Sequence, residues 1–190
     1  MLKIFIWFLA ALPSVDLFFL AFFEKLGANP QEALLRGLGT WAIVILLLTY
    51  SIPVLVKFGL NEVQKCRRML GLWAFFYVAM HFSAFLIFEN ELKFLAFVQD
   101  VLQRPLIAFG FSSFILLIPL VITSNKFSML FLGKYWKKIH KLIHLILLFS
   151  LVHYFLHRVG KSDFFEPIIA LLIFLIIFFM KKITSRKNLR

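Results

Sequence analysis

Long apolar runs separated by short polar stretches dominate this sequence. Six such runs occur, near residues 4–23, 41–60, 69–88, 105–122, 139–157 and 164–180. Each run is close to the roughly 20 residues that an α-helix needs to cross a bilayer. The pattern therefore predicts an all-α integral membrane protein, built as a six-helix transmembrane bundle.

Two smaller features modify this pattern. The stretch from Leu92 to Leu102 mixes apolar with charged and amide residues, which is typical of a short helix lying at the membrane interface. Pro13 and Ser14 mark a place in the first span where the helix is expected to kink. Because the connections are short and no Gly/Ser-rich linker occurs, residues 1–190 are predicted to form a single domain.

Composition agrees with a membrane protein, since 62% of the 190 residues are hydrophobic and the mean hydropathy is +0.93. A soluble domain has roughly 45–50% apolar residues. The net charge of +12 does not indicate a nucleic-acid partner, because the basic residues fall between apolar runs and not along a wet groove. The single cysteine excludes an internal disulfide and the C-x-x-C-H attachment of c-type haem.

The positions of lysine and arginine predict the orientation of the spans, because cytoplasmic loops carry the excess of these residues. Of the 21 basic residues, 15 fall on one side of the predicted bundle and 6 on the other. The side with the excess also carries both ends of the chain. The N and C termini are therefore predicted to be cytoplasmic.

Five histidines lie in or beside the predicted spans, where ionisable side chains are costly and mark functional sites. They are His81 in the third span and His140, His144, His153 and His157 in the fifth. One isolated histidine would most simply be a neutral imidazole bonded to a neighbouring helix. Four on one helix favour a cofactor, and two imidazoles from facing helices at one depth are the ligand set of a b-type haem.

His81 and His153 form the strongest predicted pair. At a rise of 1.5 Å per residue, His81 lies about 18 Å from the start of its helix near Met69. By the same measure His153 lies about 21 Å from the start of its helix near Ile139. Because the third and fifth spans run in the same direction, both imidazoles are predicted to lie at one depth, in the outer half of the membrane.

His140 is the candidate ligand of a second, inner haem, about 20 Å along the helix from His153. Thirteen residues place these two side chains roughly 140° apart around a straight helix, so a second haem requires a bend, a π-bulge or a different inter-helix crevice. Ser150 is one place for such a bend. The third helix offers only Arg67 and Arg68 at the inner level, and these fit haem propionates and the cytoplasmic boundary equally well. Whether the chain binds one haem or two therefore remains open.

A distinctive set of short motifs extends along most of the chain. The set consists of Arg67-Arg68-Met69-Leu70-Gly71-Leu72-Trp73 before His81, Gly27-Ala28-Asn29-Pro30 with Glu32, Arg104-Pro105, Thr123-Ser124, and Leu132-Gly133-Lys134 through Trp136 to His140-Lys141-Leu142. Together they resemble the MsrQ (YedZ) family, the haem-binding membrane subunits of periplasmic methionine sulfoxide reductase systems.

The resemblance implies a ferric-reductase-like transmembrane domain in the bacterial inner membrane, in which His81, His140 and His153 bind the iron of haem b. It implies that electrons enter on the cytoplasmic side, from a flavin reductase or the quinone pool, with FMN as a further cofactor. It also implies that electrons leave to the molybdenum-containing catalytic subunit, a periplasmic methionine sulfoxide reductase that repairs oxidised periplasmic proteins.

The residues themselves restrict this role. No Gly-rich dinucleotide-binding turn occurs after the sixth span, and the six spans leave no length for a catalytic domain. We therefore expect an electron-transfer subunit, and not the sulfoxide reductase itself. Two alternatives remain, namely another quinol-linked membrane cytochrome b and a haem-free transporter or scaffold.

Overall fold

The fold is known from a computed structural model, which describes residues 1–187 and the side chains of residues 1–183. Three basic residues counted on the predicted cytoplasmic side, Arg186, Lys187 and Arg190, lie outside the described side chains. Within the described residues the elements are helices and connecting turns. Their bounds are α1 (Leu2–Phe22), α2 (Pro30–Lys57), a 3₁₀ helix (Asn61–Cys66), α3 (Arg67–Phe88), α4 (Phe94–Gln103), α5 (Pro105–Ile122), α6 (Lys126–Leu132), α7 (Lys134–His140), α8 (Ile143–Val159) and α9 (Phe165–Lys187).

Five helical segments of the described chain are long and apolar enough to cross a membrane. They are Leu2–Phe22, Pro30–Lys57, Asn61–Phe88, Pro105–Ile122 and Lys134–Val159. The prediction of an all-helical, multi-pass membrane protein is thus confirmed. The sixth predicted span coincides with α9, whose 23 residues give a length of about 34 Å. The count of six spans stays a prediction.

The second span begins earlier than the sequence predicts, at Pro30 instead of residue 41. The Asn29 side chain caps the helix by accepting a hydrogen bond from the Glu32 amide at 3.3 Å, and Pro30 occupies the first helical position. The first turns contain Glu32 and Arg36, so they are helical without being apolar. A hydropathy pattern detects only the part of a helix that is apolar, which explains the difference.

The fifth predicted span, 139–157, coincides mainly with α8 and includes only the last two residues of α7. α7 ends at His140, a turn follows at Lys141 and Leu142, and α8 begins at Ile143. α8 then continues through Ser150 to Val159, so the helix is not interrupted at Ser150, and the suggested bend there stays a prediction. The interruption lies instead directly after His140.

The short amphipathic segment near residues 92–102 is helical, as predicted, and forms α4. Phe97 is buried and its ring lies edge-on to that of Phe111, with 5.1 Å between centroids. The apolar side chains of Phe94, Leu95 and Leu102 are exposed. This distribution is that of a helix with one face on the protein and another available to lipid.

The helices form two compact units. The first comprises Met1–Phe94 together with the chain from Leu175 onward, and α2 packs against α3 and α1 around Leu38, Ile45 and Ala74. The second comprises Leu95–Phe174, where α5 packs against α8. Its core contains Leu117, Ile146, Leu147 and Leu151, all buried.

Tyr77, fully buried on α3, reaches into the backbone of α1 within the first unit. Its hydroxyl donates to the Ala10 carbonyl at 2.8 Å and accepts from the Ser14 amide at 2.8 Å. In a regular helix these two groups, four residues apart, would bond to each other. The hydroxyl is therefore inserted into the hydrogen-bond ladder beside Pro13, at the place where the sequence predicts a kink.

An ion cluster closes the end of α8 in the second unit. Arg158 is only 1% exposed, and its guanidinium pairs with Asp163 at 3.2 Å and with Glu166. The Tyr154 hydroxyl donates to the same Glu166 carboxylate at 2.5 Å. These bonds connect the last turns of α8 with the first turn of α9.

Candidate functional site

His81 lies on α3 with its ring directed at α2 in the first unit. Its Nδ1 atom is 2.9 Å from the carbonyl oxygen of Leu35. Because a carbonyl oxygen can only accept, Nδ1 carries the proton and donates it. A neutral imidazole protonated at Nδ1 has its lone pair on Nε2, which is the form in which histidine binds a metal ion.

His153 has the same arrangement in the second unit. Its ring is directed from α8 towards α5, and Nδ1 donates to the carbonyl oxygen of Leu106 at 2.8 Å. In the neutral form, the lone pair of this imidazole is again on Nε2. Both histidines of the predicted pair are thus half-buried, and Nδ1–H of each is oriented by a backbone carbonyl of the neighbouring helix.

A glycine lies against each of these rings. A Cβ atom added to Gly39 would lie 3.1 Å from Cε1 and 3.2 Å from Nδ1 of His81. A Cβ atom added to Gly110 would lie 2.7 Å from Nδ1 and 2.8 Å from Cε1 of His153. Each glycine comes four residues after the residue whose carbonyl accepts the hydrogen bond, so glycine and carbonyl lie on one face of the helix.

The two histidines occupy similar levels within their own helices. His81 lies seven residues before Phe88, the last residue of α3, and His153 lies six residues before Val159, the last residue of α8. These separations correspond to about 10 Å and about 9 Å of helix. His81 belongs to the first unit and His153 to the second. Their pairing across one haem stays a prediction.

His140 is the last residue of α7, in the second unit. Its ring lies edge-on to Trp136 with 4.0 Å between ring centroids, and the Trp136 indole N–H donates to the Thr123 carbonyl at 2.9 Å. Trp136 therefore links the end of α5 to the position of His140. Lys141 and Leu142 keep helical backbone angles, and their amides bond to the carbonyls of Lys138 and Ile139, so the helix tightens there. This tightened turn changes the angle of about 140° that a straight helix would place between His140 and His153.

The other two histidines are in different surroundings. His144 donates from Nδ1 to the Lys141 carbonyl at 2.9 Å, a local bond to the turn that precedes α8. His157 is half-buried at the end of α8, beside the Arg158 ion cluster. Over residues 1–187, no group of three or more His, Cys, Asp or Glu side chains is placed to hold a metal ion. Haem iron requires at most two protein ligands, because the porphyrin supplies the rest.

The carbonyls and glycines beside the histidines could not be identified from the sequence. A backbone carbonyl has no sequence signal, because every residue carries one. Glycine inside a helix is less favourable than alanine by about 1 kcal/mol, so Gly110 within the fourth apolar run was an available indication. Gly39 lies before the predicted second run and gave no such signal. Tyr77 and the burial of Arg158 were missed for a related reason, since both depend on which helices become neighbours.

The sequence of this chain matches a known protein family. Residues 38–151 match the family described as ferric reductase like transmembrane component, a segment that contains His81 and His140 and ends two residues before His153. Several proteins named protein-methionine-sulfoxide reductase heme-binding subunit MsrQ are similar to the chain. That of Ralstonia nicotianae is 37% identical over 166 residues, which cover 86% of this chain and 76% of the relative.

Two further relatives with this name extend the comparison. The protein of Herminiimonas arsenicoxydans is 37% identical over 195 residues, covering 99% of this chain and 89% of the relative. The protein of Bordetella pertussis is 38% identical over 159 residues, covering 83% of this chain and 77% of the relative. No solved structure matches the chain.

Proposed function

Because this chain belongs to the MsrQ family of ferric reductase-like transmembrane proteins, we propose that it is the haem-binding membrane subunit of a methionine sulfoxide reductase system. In this role it passes electrons across the bacterial inner membrane and does not itself reduce methionine sulfoxide. The relatives' names state that they are haem-binding subunits of a protein-methionine-sulfoxide reductase.

The observation that carries the proposal is the arrangement shared by His81 and His153. Each donates from Nδ1 to a carbonyl of a neighbouring helix, which keeps the lone pair on Nε2. Each ring also lies against a glycine, so the imidazole is in contact with backbone. These features fit two imidazoles that would hold a b-type haem, which would supply a one-electron redox centre. We propose His81 and His153 as ligands of the outer haem.

His140 is the proposed third haem ligand, at an inner site. Its support is the tightened turn after His140, which changes the direction of its side chain relative to that of His153 from the one expected on a straight helix. The Trp136 ring beside it, held by the Thr123 carbonyl, gives the imidazole a defined neighbour. Two haems at different depths would give electrons a path through the membrane.

The proposed topology has six spans and cytoplasmic termini, within a single domain covering residues 1–190. α9 serves as the sixth span, since its length of about 34 Å exceeds the roughly 30 Å of a bilayer core. The excess of 15 basic residues over 6 supports the orientation. With this topology His81 and His153 lie in the outer half of the membrane.

The proposed partners follow from the relatives' names, which describe a subunit of a protein-methionine-sulfoxide reductase. We propose a cytoplasmic flavin reductase or the quinone pool as the electron donor, with FMN as a further cofactor. The proposed acceptor is the molybdenum-containing catalytic subunit in the periplasm.

Haem quantification and reduced-minus-oxidised absorption spectra of purified variants test the ligand assignment. We expect His81→Ala and His153→Ala to lose the outer haem, and His140→Ala to lose a second haem while retaining the outer one. His144→Ala and His157→Ala are matched controls on the fifth span, expected to retain full haem content. Full haem content in both His81→Ala and His153→Ala, or a wild-type protein without an α band, would contradict the proposal.

A second experiment separates this function from that of another quinol-linked cytochrome b. Membranes containing the protein are reduced and mixed with a purified periplasmic methionine sulfoxide reductase catalytic subunit. We expect the haem to be reoxidised in the presence of methionine sulfoxide. Haem that stays reduced under these conditions would favour the alternative cytochrome.

A further inference from the structure

The two glycines beside the histidine rings have a function of their own. We propose that Gly39 and Gly110 are positioning residues, which let each imidazole lie against the neighbouring helix with Nδ1–H on the Leu35 or Leu106 carbonyl. They thereby fix the plane of the ring and the electron density on Nε2. The inference rests on the proposed haem-binding function, because its consequence for electron transfer requires His81 and His153 to be haem ligands.

The second unit shows the tighter contact. A Cβ at Gly110 would approach three atoms of the His153 ring, at 2.7 Å, 2.8 Å and 3.3 Å. Distances below 3.0 Å are not found for real Cβ atoms, so either the ring or α5 must move. The nearest ring atom is Nδ1, which donates to Leu106 at 2.8 Å. Any side chain at position 110 would therefore disturb this hydrogen bond first.

The first unit has the same arrangement with more space. A Cβ at Gly39 would lie 3.1 Å, 3.2 Å and 3.8 Å from its three nearest atoms, all in the His81 ring. A displacement of a few tenths of an ångström would accommodate a methyl group there. We therefore expect a graded response, in which Gly110→Ala has a large effect and Gly39→Ala a smaller effect of the same kind.

The same geometry occurs in both units, and this repetition argues for a specific role. Leu35 and Gly39 lie one turn apart in α2, as Leu106 and Gly110 do in α5. The spacing alone is not distinctive, because Leu55 and Gly59 share it and a Cβ at Gly59 would meet nothing within 4 Å. The leucine supplies the carbonyl and the glycine, one turn later, supplies the space. Alanine would favour the helix at both positions, so the glycines act against local helix stability. At both positions the atoms nearest to an added Cβ belong to an imidazole.

The expected consequence concerns the reduction potential. A hydrogen bond from Nδ1 to a carbonyl increases the basicity of the ligating nitrogen, and a more basic ligand stabilises ferric over ferrous iron. Losing the bond therefore shifts the midpoint potential in the positive direction. A rotated imidazole plane also changes the low-spin ferric signal in electron paramagnetic resonance.

The experiment uses the full-length holoprotein in detergent, with potentiometric titration of the haem and electron paramagnetic resonance of the oxidised form. We expect a positive potential shift and an altered low-spin signal in Gly110→Ala, and a smaller shift in Gly39→Ala. Gly71→Ala is the matched control, because its Cβ would meet only Thr49 at an ordinary 3.7 Å. Both readouts should be unchanged in that variant.

A second control separates packing from histidine orientation. A Cβ at Gly37 would lie 2.6 Å from the flexible Leu17 side chain, so Gly37→Ala perturbs α2 without contacting a histidine. Wild-type potentials and spectra in both Gly110→Ala and Gly39→Ala would overturn the inference, as would an equal shift in Gly37→Ala. If Gly110→Ala does not fold, Gly39→Ala alone decides.

Nitrogen-15 NMR of histidine-labelled apoprotein distinguishes failure of this inference from failure of the proposed function. We expect wild-type His81 and His153 to be neutral with the proton on Nδ1, and Gly110→Ala to lose that state at His153. A wild-type protein that shows this tautomer but binds no haem refutes the proposed function and leaves the positioning role standing. An unchanged His153 tautomer in Gly110→Ala refutes the positioning role.

Discussion

Replacing Tyr77 with phenylalanine removes only the hydroxyl that lies within the backbone of α1. The buried ring and its packing remain, because phenylalanine has the same shape without the oxygen. Two backbone groups lose their partner, namely the Ser14 amide and the Ala10 carbonyl. Pro13 lies between them and interrupts the i→i−4 hydrogen bonds of α1, so the two groups cannot bond to each other without a change in the helix.

The size of the effect follows from the number of bonds lost. Hydrogen bonds between membrane helices contribute about 0.6 kcal/mol on average and at most about 1.7 kcal/mol. With two bonds lost at one fully buried hydroxyl, we expect Tyr77→Phe to lower the free energy of unfolding by about 1–3 kcal/mol. The effect should depend on the proline. In a Pro13→Ala background the Ser14 amide can bond directly to the Ala10 carbonyl. Tyr77→Phe should then leave the free energy of unfolding almost unchanged.

Equilibrium unfolding in mixed detergent measures all four proteins of this double-mutant cycle, with helix content by circular dichroism as the signal. Tyr135→Phe is the control, because Tyr135 is exposed and its hydroxyl should contribute little. A Tyr77→Phe protein as stable as the wild type would refute the reasoning. So would an equal loss of stability in the Pro13→Ala background, since the inserted hydroxyl would then have no connection with the opened ladder.

Two further predictions concern the second unit. Trp136→Phe removes the indole N–H that holds this ring beside His140. We expect the inner haem to be lost or its spectrum to shift, with the outer haem unchanged. Redox titration measures both haems, with Trp41→Phe as the control. Arg158→Met leaves the Glu166 carboxylate without its buried partner. We expect the free energy of unfolding, measured by thermal unfolding, to fall by about 2–3 kcal/mol. This loss is smaller than for a fully buried pair, because Glu166 is 40% exposed. An unchanged unfolding temperature at pH 7 would contradict the second expectation.

Hydropathy predicted helices well where apolar sequence and helix coincide. The fourth span was predicted at 105–122 and α5 is Pro105–Ile122, with proline at its first position. The prediction was poorer where the two diverge. α2 begins with polar turns capped by Asn29, and the break after His140 occurs within a continuous apolar and basic stretch. Hydrogen-bond continuity depends on backbone geometry, which hydropathy does not report.

The candidate site could be predicted only as far as side-chain identity reaches. His81 and His153 stand out because imidazoles are rare at membrane depth. The Leu35 and Leu106 carbonyls that orient them are indistinguishable in sequence from any other backbone group. The packing of α3 on α2 and of α8 on α5 decides which carbonyl each histidine contacts. This packing is a tertiary property, and the helical periodicity of the sequence does not predict it.

The ion cluster at the end of α8 bears on how the chain enters the membrane. The connection from Arg158 to Glu166 contains two basic residues, Arg158 and Lys161, and two acidic residues, Asp163 and Glu166, so its formal charge is zero. In the proposed topology this segment must be translocated across the bilayer, where an unpaired charge is costly. Pairing Arg158 with its two carboxylates before translocation lowers that barrier. We therefore expect α8 and α9 to insert together as one helical hairpin during biosynthesis, and not as two successive spans.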